Sequence, residues 1–230
     1  MKIFAIADTH LSGDPPSKPM SIFGAHWEGH WAKIKTSWQQ QVTDADTVLL
    51  AGDISWAMKL PDALVDLNAI ASLPGRKIMI RGNHDYWWQT VSKLNNAVDG
   101  KIEFLNNNFA VAGEWAICGS RGWVCPEDPL FRASDRPIFT RELLRVEASL
   151  SAARAAGFSR IILMLHFPPF YAQHSETGFA ALIAKYNVEL CIYGHLHSES
   201  IKNAVTGIIN GTAYHLVACD ALEFKVKQLI

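Results

Sequence analysis

No apolar run in this chain approaches the roughly 20 residues that a membrane-spanning helix needs. The N-terminal run from Ile3 to Ala7 stops at Asp8 after five residues, too short for a signal-peptide core. Cysteine is scarce: Cys118, Cys125, Cys191 and Cys219 are irregularly spaced and form no CxxC pair, which argues against a disulfide frame or zinc knuckle and for reduced thiols in a cytoplasmic protein. An excess of either charge is also missing. The formal net charge is −1 and no basic tail or stripe is present, which disfavours a long nucleic-acid partner or an anionic membrane surface and leaves a small, compact substrate. No linker, low-complexity tract or internal repeat divides the 230 residues, so one domain over 1–230 is expected.

What the chain does have is apolar content, at 49% against 19% charged, enough for a substantial core. Five short runs of it end in metal-binding side chains: IFAIAD delivers Asp8 and then His10, TVLLAGD delivers Asp53, KIMIRGNHD delivers Asn83, His84 and Asp85, RIILMLH delivers His166, and LCIYGHLH delivers His195 and His197. Continuous Ile, Leu, Val and Met of this length read as strands buried on both faces, and in α/β sheets the ligand-binding groups lie just beyond the carboxyl ends of such strands.

Between the runs, helical spacing predicts helices from Trp27 to Val42, from Pro61 to Leu73, from Thr90 to Ala97, from a Thr140 cap towards Gly157, and from Phe179 to Tyr186. Short strands are expected at Ile102 to Leu105, Phe109 to Ala112 and Trp115 to Gly119, with an antiparallel character. From Ile208 onward three β-rich segments follow without helices and predict a second, mostly antiparallel sheet. The expected fold class is α/β (α+β): two packed mixed sheets flanked by helices.

Carboxylate, imidazole and amide ligands together suit Mn²⁺, Fe or Zn²⁺, whereas Ca²⁺ would want oxygen throughout, and there are too many ligands for one ion. In order and spacing, Asp-Thr-His, Gly-Asp, Gly-Asn-His-Asp, a lone His and Gly-His-Leu-His resemble the calcineurin-like metallophosphoesterase superfamily over about Ile3 to His197. The resemblance implies an αββα sandwich and two divalent ions, with Mn²⁺ favoured and Fe, Zn²⁺ or Mg²⁺ as alternatives. It implies that one ion is held by Asp8, His10, Asp53 and His197 and the other by Asp53, Asn83, His166 and His195, with Asp53 shared. It further implies hydrolysis of a small phosphodiester or nucleotide-like phosphoester by water activated between the ions, with His84 as the acid at the leaving oxygen and Asp85 orienting and charging it. Phosphomonoesterase or protein phosphatase activity at the same site, amide or thioester hydrolysis at a zinc pair, and a non-catalytic scaffold are the competing readings.

Each residue also has a structural reading. A lone His166 is more often a satisfied core histidine, and Asp8 or Asp53 alone could cap a turn. His26 and His30 share a helical spacing but lack a third ligand, so a surface face is expected. His174, in the loop after Phe167 to Phe170, and Arg121, in Gly-Ser-Arg-Gly-Trp, are candidates for contacting the substrate, Arg121 by gripping phosphate bidentately. Trp56, Trp87 and Trp88 follow the ligand motifs and form either a wall for an apolar group or ordinary packing.

Overall fold

The computed structural model of the chain describes residues 1–171 and 177–230. Strands and helices alternate through β1 (Ile3–Ile6), α1 (His30–Gln41), β2 (Thr47–Leu50), α2 (Leu60–Ala71), β3 (Arg76–Met79), α3 (Val91–Ala97) and β4 (Ile102–Phe104). A hairpin of β5 (Phe109–Ala112) and β6 (Trp115–Ser120) leads into α4 (Arg136–Ala155), β7 (Arg160–Leu165), α5 (Gly178–Lys185) and β8 (Leu190–Tyr193). The chain ends with β9 (Gly207–Ile209), β10 (Thr212–Leu216) and β11 (Lys227–Gln228).

Two mixed sheets result, with strand orders β11-β1-β2-β3-β4 and β5-β6-β7-β8-β10-β9. Alternation along each strand explains why they stack. Ile3 and Ala5 of β1, Leu49 of β2 and Ile78 of β3 face Ile117, Ile162, Met164 and Ile192 of the other sheet, forming a core between the two. The intervening residues Phe4, Ile6, Val48, Leu50 and Met79 point the opposite way into a second core with Ile34 and Trp38 of α1 and Leu67 and Ile70 of α2. On the far side, Leu163, Leu165 and Cys191 meet Val146 and Leu150 of α4 and Phe179 and Ile183 of α5. The result is the expected sandwich, αββα. Each fully buried Ile or Leu contributes about 1.5–3 kcal/mol of transfer free energy, so both faces of these strands help hold the layers in register.

Three local expectations are corrected. β4 runs parallel to β3, so of the middle strands only the β5–β6 hairpin is antiparallel. Thr140 lies inside α4, its hydroxyl donating to the Arg136 carbonyl, because Pro137 opens the helix a turn earlier. The terminal strands do not form a sheet of their own. β10 pairs parallel with β8, and β11 pairs antiparallel with β1.

At the carboxyl ends of the strands the two sheets are laced together. The Ala7 N–H donates to the Val217 carbonyl at 2.7 Å, the Cys219 N–H to the Ala7 carbonyl at 3.0 Å, and the Asp8 N–H to the Gly52 carbonyl at 2.9 Å. These bonds carry each ladder past the end of its strand and draw the loops bearing the polar motifs together.

Candidate metal centre

Asp8, His10, Asp53 and His195 all leave their strands through the left-handed region, with φ of 60°, 45°, 53° and 72°. Non-glycine residues adopt this conformation at a cost, and they hold it where the surroundings demand a particular side-chain direction. The glycines beside them answer a second demand, close approach. A Cβ at Gly82 would overlap Asp53 Oδ1, and one at Gly194 would overlap Asp8 Oδ2 and come within 2.8 Å of the Ala7 Cβ.

The side chains so directed converge. His197 Nε2 lies 3.4 Å from Asp8 Oδ1 and 3.4 Å from His10 Nε2, and His10 Nε2 lies 3.9 Å from Asp8 Oδ1. On the other side, His166 Nε2 lies 3.3 Å from Asp53 Oδ2 and 2.7 Å from Asn83 Oδ1. Two ligands of one ion, each about 2.1 Å from it, stand roughly 3 to 4 Å apart, so these spacings are those of coordination spheres. Two groups could each hold an ion: Asp8, His10 and His197, and Asp8, Asp53 and His166. Asp8 belongs to both, where Asp53 was expected to be the shared carboxylate; Asp53 belongs to the second and approaches the first at His10 Nε2, 4.0 Å from its Oδ2. The His195 ring lies 5.2 Å from that of His166, and its backbone N–H donates to Asp8 Oδ2 at 3.0 Å.

The donor chemistry fits divalent ions. Asp8 Oδ1 and His10 Nδ1 are buried with no hydrogen-bond partner, a costly state for polar atoms that a cation at Asp8 Oδ1 would relieve. Two histidines are oriented from behind. His166 Nδ1 lies 3.0 Å from the Ala51 carbonyl and His197 Nδ1 lies 2.8 Å from Asp220 Oδ1. Each such bond holds Nδ1 as the donor and turns Nε2 towards the cluster, where loss of its proton would free a lone pair for a metal ion.

The electrostatics are those of carboxylates and imidazoles forced together. Burial raises the Asp8 and Asp53 carboxyls, but the adjacent imidazoles, His197 at Asp8 and His166 at Asp53, outweigh it and hold both below the usual carboxylate range. Burial lowers His166 and His197, yet Asp53 lifts the first to about 9, while Asp220 and Asp8 lift the second to about 10. His10 and His195, buried without so close a carboxylate, fall to about 4 and about 3.

His84 sits over the cluster, its ring 4.5 Å from Trp56 and 5.8 Å from His10, and its backbone N–H donates to Asp53 Oδ1 at 2.7 Å. Asp85 is placed differently from the expectation that it orients and charges His84. It is fully buried, and its two oxygens accept from the N–H groups of Gly82, Asp53, Ile54 and Ser55 and from the Trp87 indole, at 2.7 to 3.3 Å. A carboxylate without solvent takes as many donors as it can, and the Asp53–Ser55 turn supplies three of them. Asp85 therefore holds the turn that carries Asp53. The His84 imidazole is lowered by burial rather than raised by this neighbour.

Arg121 is also placed away from the cluster. Its guanidinium lies 4.3 Å from the centre of the Trp123 ring and pairs with the buried Glu142 at 3.4 Å. His174 lies outside the described residues. His30, expected on a surface face, is half-buried with Nε2 2.9 Å from the Thr9 carbonyl, bracing the Asp8–His10 turn, while His26 is exposed. Asp220 had no signal in the sequence, since it follows a strand of the terminal segment and meets His197 only in the fold.

Of the three tryptophans, Trp87 is core and Trp88 packs edge-on against Phe104. Trp56 alone of the three joins the cluster, stacked on His10 at 4.7 Å. With Met20, Phe23 and Trp27 it walls a cavity of about 210 Å³ whose floor is His10, Asp53, His84, His195 and His197.

Among the described residues no helix is long and apolar enough to cross a membrane. The sequence profile of the calcineurin-like phosphoesterases matches residues 1–199. A comparison with curated proteins finds no match. Among solved structures, the fold is similar to that of the protein TT1561 of Thermus thermophilus, with a TM-score of 0.61 at 13% identity over 98% of this chain and 96% of that one. It is also similar to the calcineurin-like phosphoesterase YfkN from Bacillus subtilis, with a TM-score of 0.50 at 14% identity over 95% of this chain and 80% of that one. The chain belongs to the calcineurin-like phosphoesterase family, metal-dependent hydrolases of phosphoester bonds.

Proposed function

We propose that this chain, acting as one domain over 1–230, hydrolyses a small phosphodiester or nucleotide-like phosphoester at a pair of divalent ions. The observation that carries the reading is the double cluster itself, in which Asp8 belongs to two sets of three ligand atoms, each set lying within 4.8 Å. Two cations bound there would activate a water and neutralise charge on the phosphoryl oxygens. Asp8, His10, Asp53 and His197 would hold one, and Asp53, Asn83, His166 and His195 the other, with Asp53 shared, Asp8 near enough to both sets to serve either, and Mn²⁺ the preferred ion. Because only Asp8 and Asp53 bring negative charge to these two sets, the pocket keeps a positive excess towards an anionic ester.

His84 faces the same cavity and donates a ring N–H to the leaving oxygen. Trp56, Met20 and Phe23 hold the ester substituent and keep bulk water out, which favours an aromatic or apolar group of about one ring in size. Trp56 is itself fixed, its indole N–H directed at the Met20 sulfur at 3.3 Å and Lys18 Nζ lying 3.1 Å from the centre of its ring. Four buried, unpaired cysteines support a cytoplasmic setting.

The test is hydrolysis after Mn²⁺ reconstitution. Bis-p-nitrophenyl phosphate is turned over faster than p-nitrophenyl phosphate, and Asp53→Asn abolishes both activities. Preference for the monoester supports the phosphomonoesterase reading instead, and no turnover of either ester, with metal content unaffected by Asp53→Asn, overturns the enzyme assignment.

A further inference from the structure

A second cavity, of about 380 Å³, opens beyond the ends of β3, β4 and β6 and is roofed by α4. It shares no lining residue with the cavity over the metal cluster. Its charged lining is Arg81, Arg121 and Arg145 against a single carboxylate, Glu142.

That carboxylate is already committed. Glu142 is fully buried, accepts from the Ser120 hydroxyl at 2.5 Å and from Arg145 at 2.8 Å, and reaches Arg121 only at 3.4 Å. Arg141 approaches the same carboxylate at 4.0 Å from the outside. Arg121 Nε is buried without a hydrogen-bond partner. Arg81 is held through its Nε, which donates to the Asp85 carbonyl at 3.2 Å. One anion thus faces several guanidinium groups in a partly enclosed space, where repulsion between like charges is weakly screened.

Structural ion pairs are normally balanced, and this group is not. Guanidinium forks match tetrahedral oxyanions, and Asn106 and Trp88 add an amide and an indole to the same lining. We propose that this cavity is a second anion site, distinct from the metal centre, that takes a phosphate-type oxyanion. The anion replaces the missing negative charge and accepts from Arg81, Arg121 and Arg145. The site adjoins the catalytic edge, since the Arg121 carbonyl accepts the N–H groups of His166 and Phe167, both at 3.0 Å.

Calorimetric titration of the full-length, metal-loaded protein with inorganic phosphate tests this. An equivalent of phosphate binds that is weakened at least tenfold by Arg145→Gln and, separately, by Arg81→Gln. Circular dichroism melts establish that both variants are folded, and Arg145→Lys, which keeps the charge, retains part of the affinity. A parallel titration with methylphosphonate, which carries the phosphate charge on a non-hydrolysable group, separates the sources: binding of both anions identifies a phosphate-bearing molecule, and binding of phosphate alone identifies the free ion, either of which upholds the site. Phosphate binding that is absent, or indifferent to both substitutions, overturns it. If the only equivalent bound is the one sensitive to Arg145→Gln, the arginine site stands and the proposed phosphoesterase centre is the reading that loses support.

Discussion

His197 Nδ1 lies 2.8 Å from Asp220 Oδ1, while the second oxygen of Asp220 accepts the Ser198 N–H at 3.1 Å. One carboxylate thus fixes both the ring of a candidate ligand and the turn that follows it. Asp220→Asn keeps the shape but removes the charge that favours Nδ1 protonation, and partners of this kind are worth about 10- to 100-fold in metal affinity. Titration of the variant with Mn²⁺, against a competing chelator, is expected to show weakening in that range for one ion and little change for the other.

Gly194→Ala tests the close approach at the Asp8 carboxylate, where a methyl would overlap Oδ2 and press on the Ala7 Cβ. Overpacking of this kind costs about 1–3 kcal/mol. The thermal midpoint should therefore drop, and metal retained through gel filtration should fall with it. Gly157→Ala is the control, because nothing lies within 4 Å of its added Cβ, so that only its positive φ of 88° contributes.

Phe23 is half exposed and stacks 6.4 Å from Trp56, so it can be changed without disturbing the core. Aromatic contacts contribute about 0.5–1.5 kcal/mol, which corresponds to roughly two- to tenfold in kcat/KM. Phe23→Ser should lower kcat/KM for an aryl phosphodiester by such a factor and leave that for dimethyl phosphate unchanged. An equal loss for both esters would remove the apolar wall from the account.

Asp46 offers a pH dependence remote from the metal cluster. Its carboxylate accepts from the Lys2 N–H at 2.6 Å and from the Thr43 N–H and hydroxyl at 2.9 and 2.8 Å, and these bonds lower it from 3.8 to about 2. A group held lower in the folded state than in the unfolded one contributes stability above its unfolded pKa and loses that contribution as pH falls through its folded pKa. Asp46→Asn should therefore melt below the wild type at pH 6. The gap should begin to close below about pH 4 and be nearly gone by about pH 2, as followed by circular dichroism.

Much of this arrangement was legible in the residues. Apolar runs such as Arg160–Leu165 must be strands covered on both sides, and the polar residue that ends each run must lie at the sheet's edge. The order of Asp8, Asp53, Asn83, His166 and His197 then implied the fold through a family resemblance and put forward the candidate ligands. The rest was decided by partners distant in sequence. Alternation makes β10 and β11 strands but does not choose their neighbours, and they divide between the two sheets. Asp85 reads as a companion of His84 because it is adjacent to it, whereas the donors that claim its oxygens belong mainly to a turn some 30 residues earlier. Arg121 sits at a strand end like the ligands, but Trp123 and Glu142 turn it into another cavity. Asp220 lies 23 residues beyond His197 in an otherwise unremarked β-rich stretch.

In the proposed phosphoesterase, Asp8 and Asp53 join two ligand sets into one dinuclear centre. Metal stoichiometry by inductively coupled plasma mass spectrometry, on wild type and Asp53→Asn after Mn²⁺ reconstitution and desalting, tests it most directly. Two ions per wild-type chain are expected and at most one in the variant, with loss of phosphoesterase activity in parallel; a single ion in the wild type, or an unchanged count in Asp53→Asn, rules out the shared dinuclear centre.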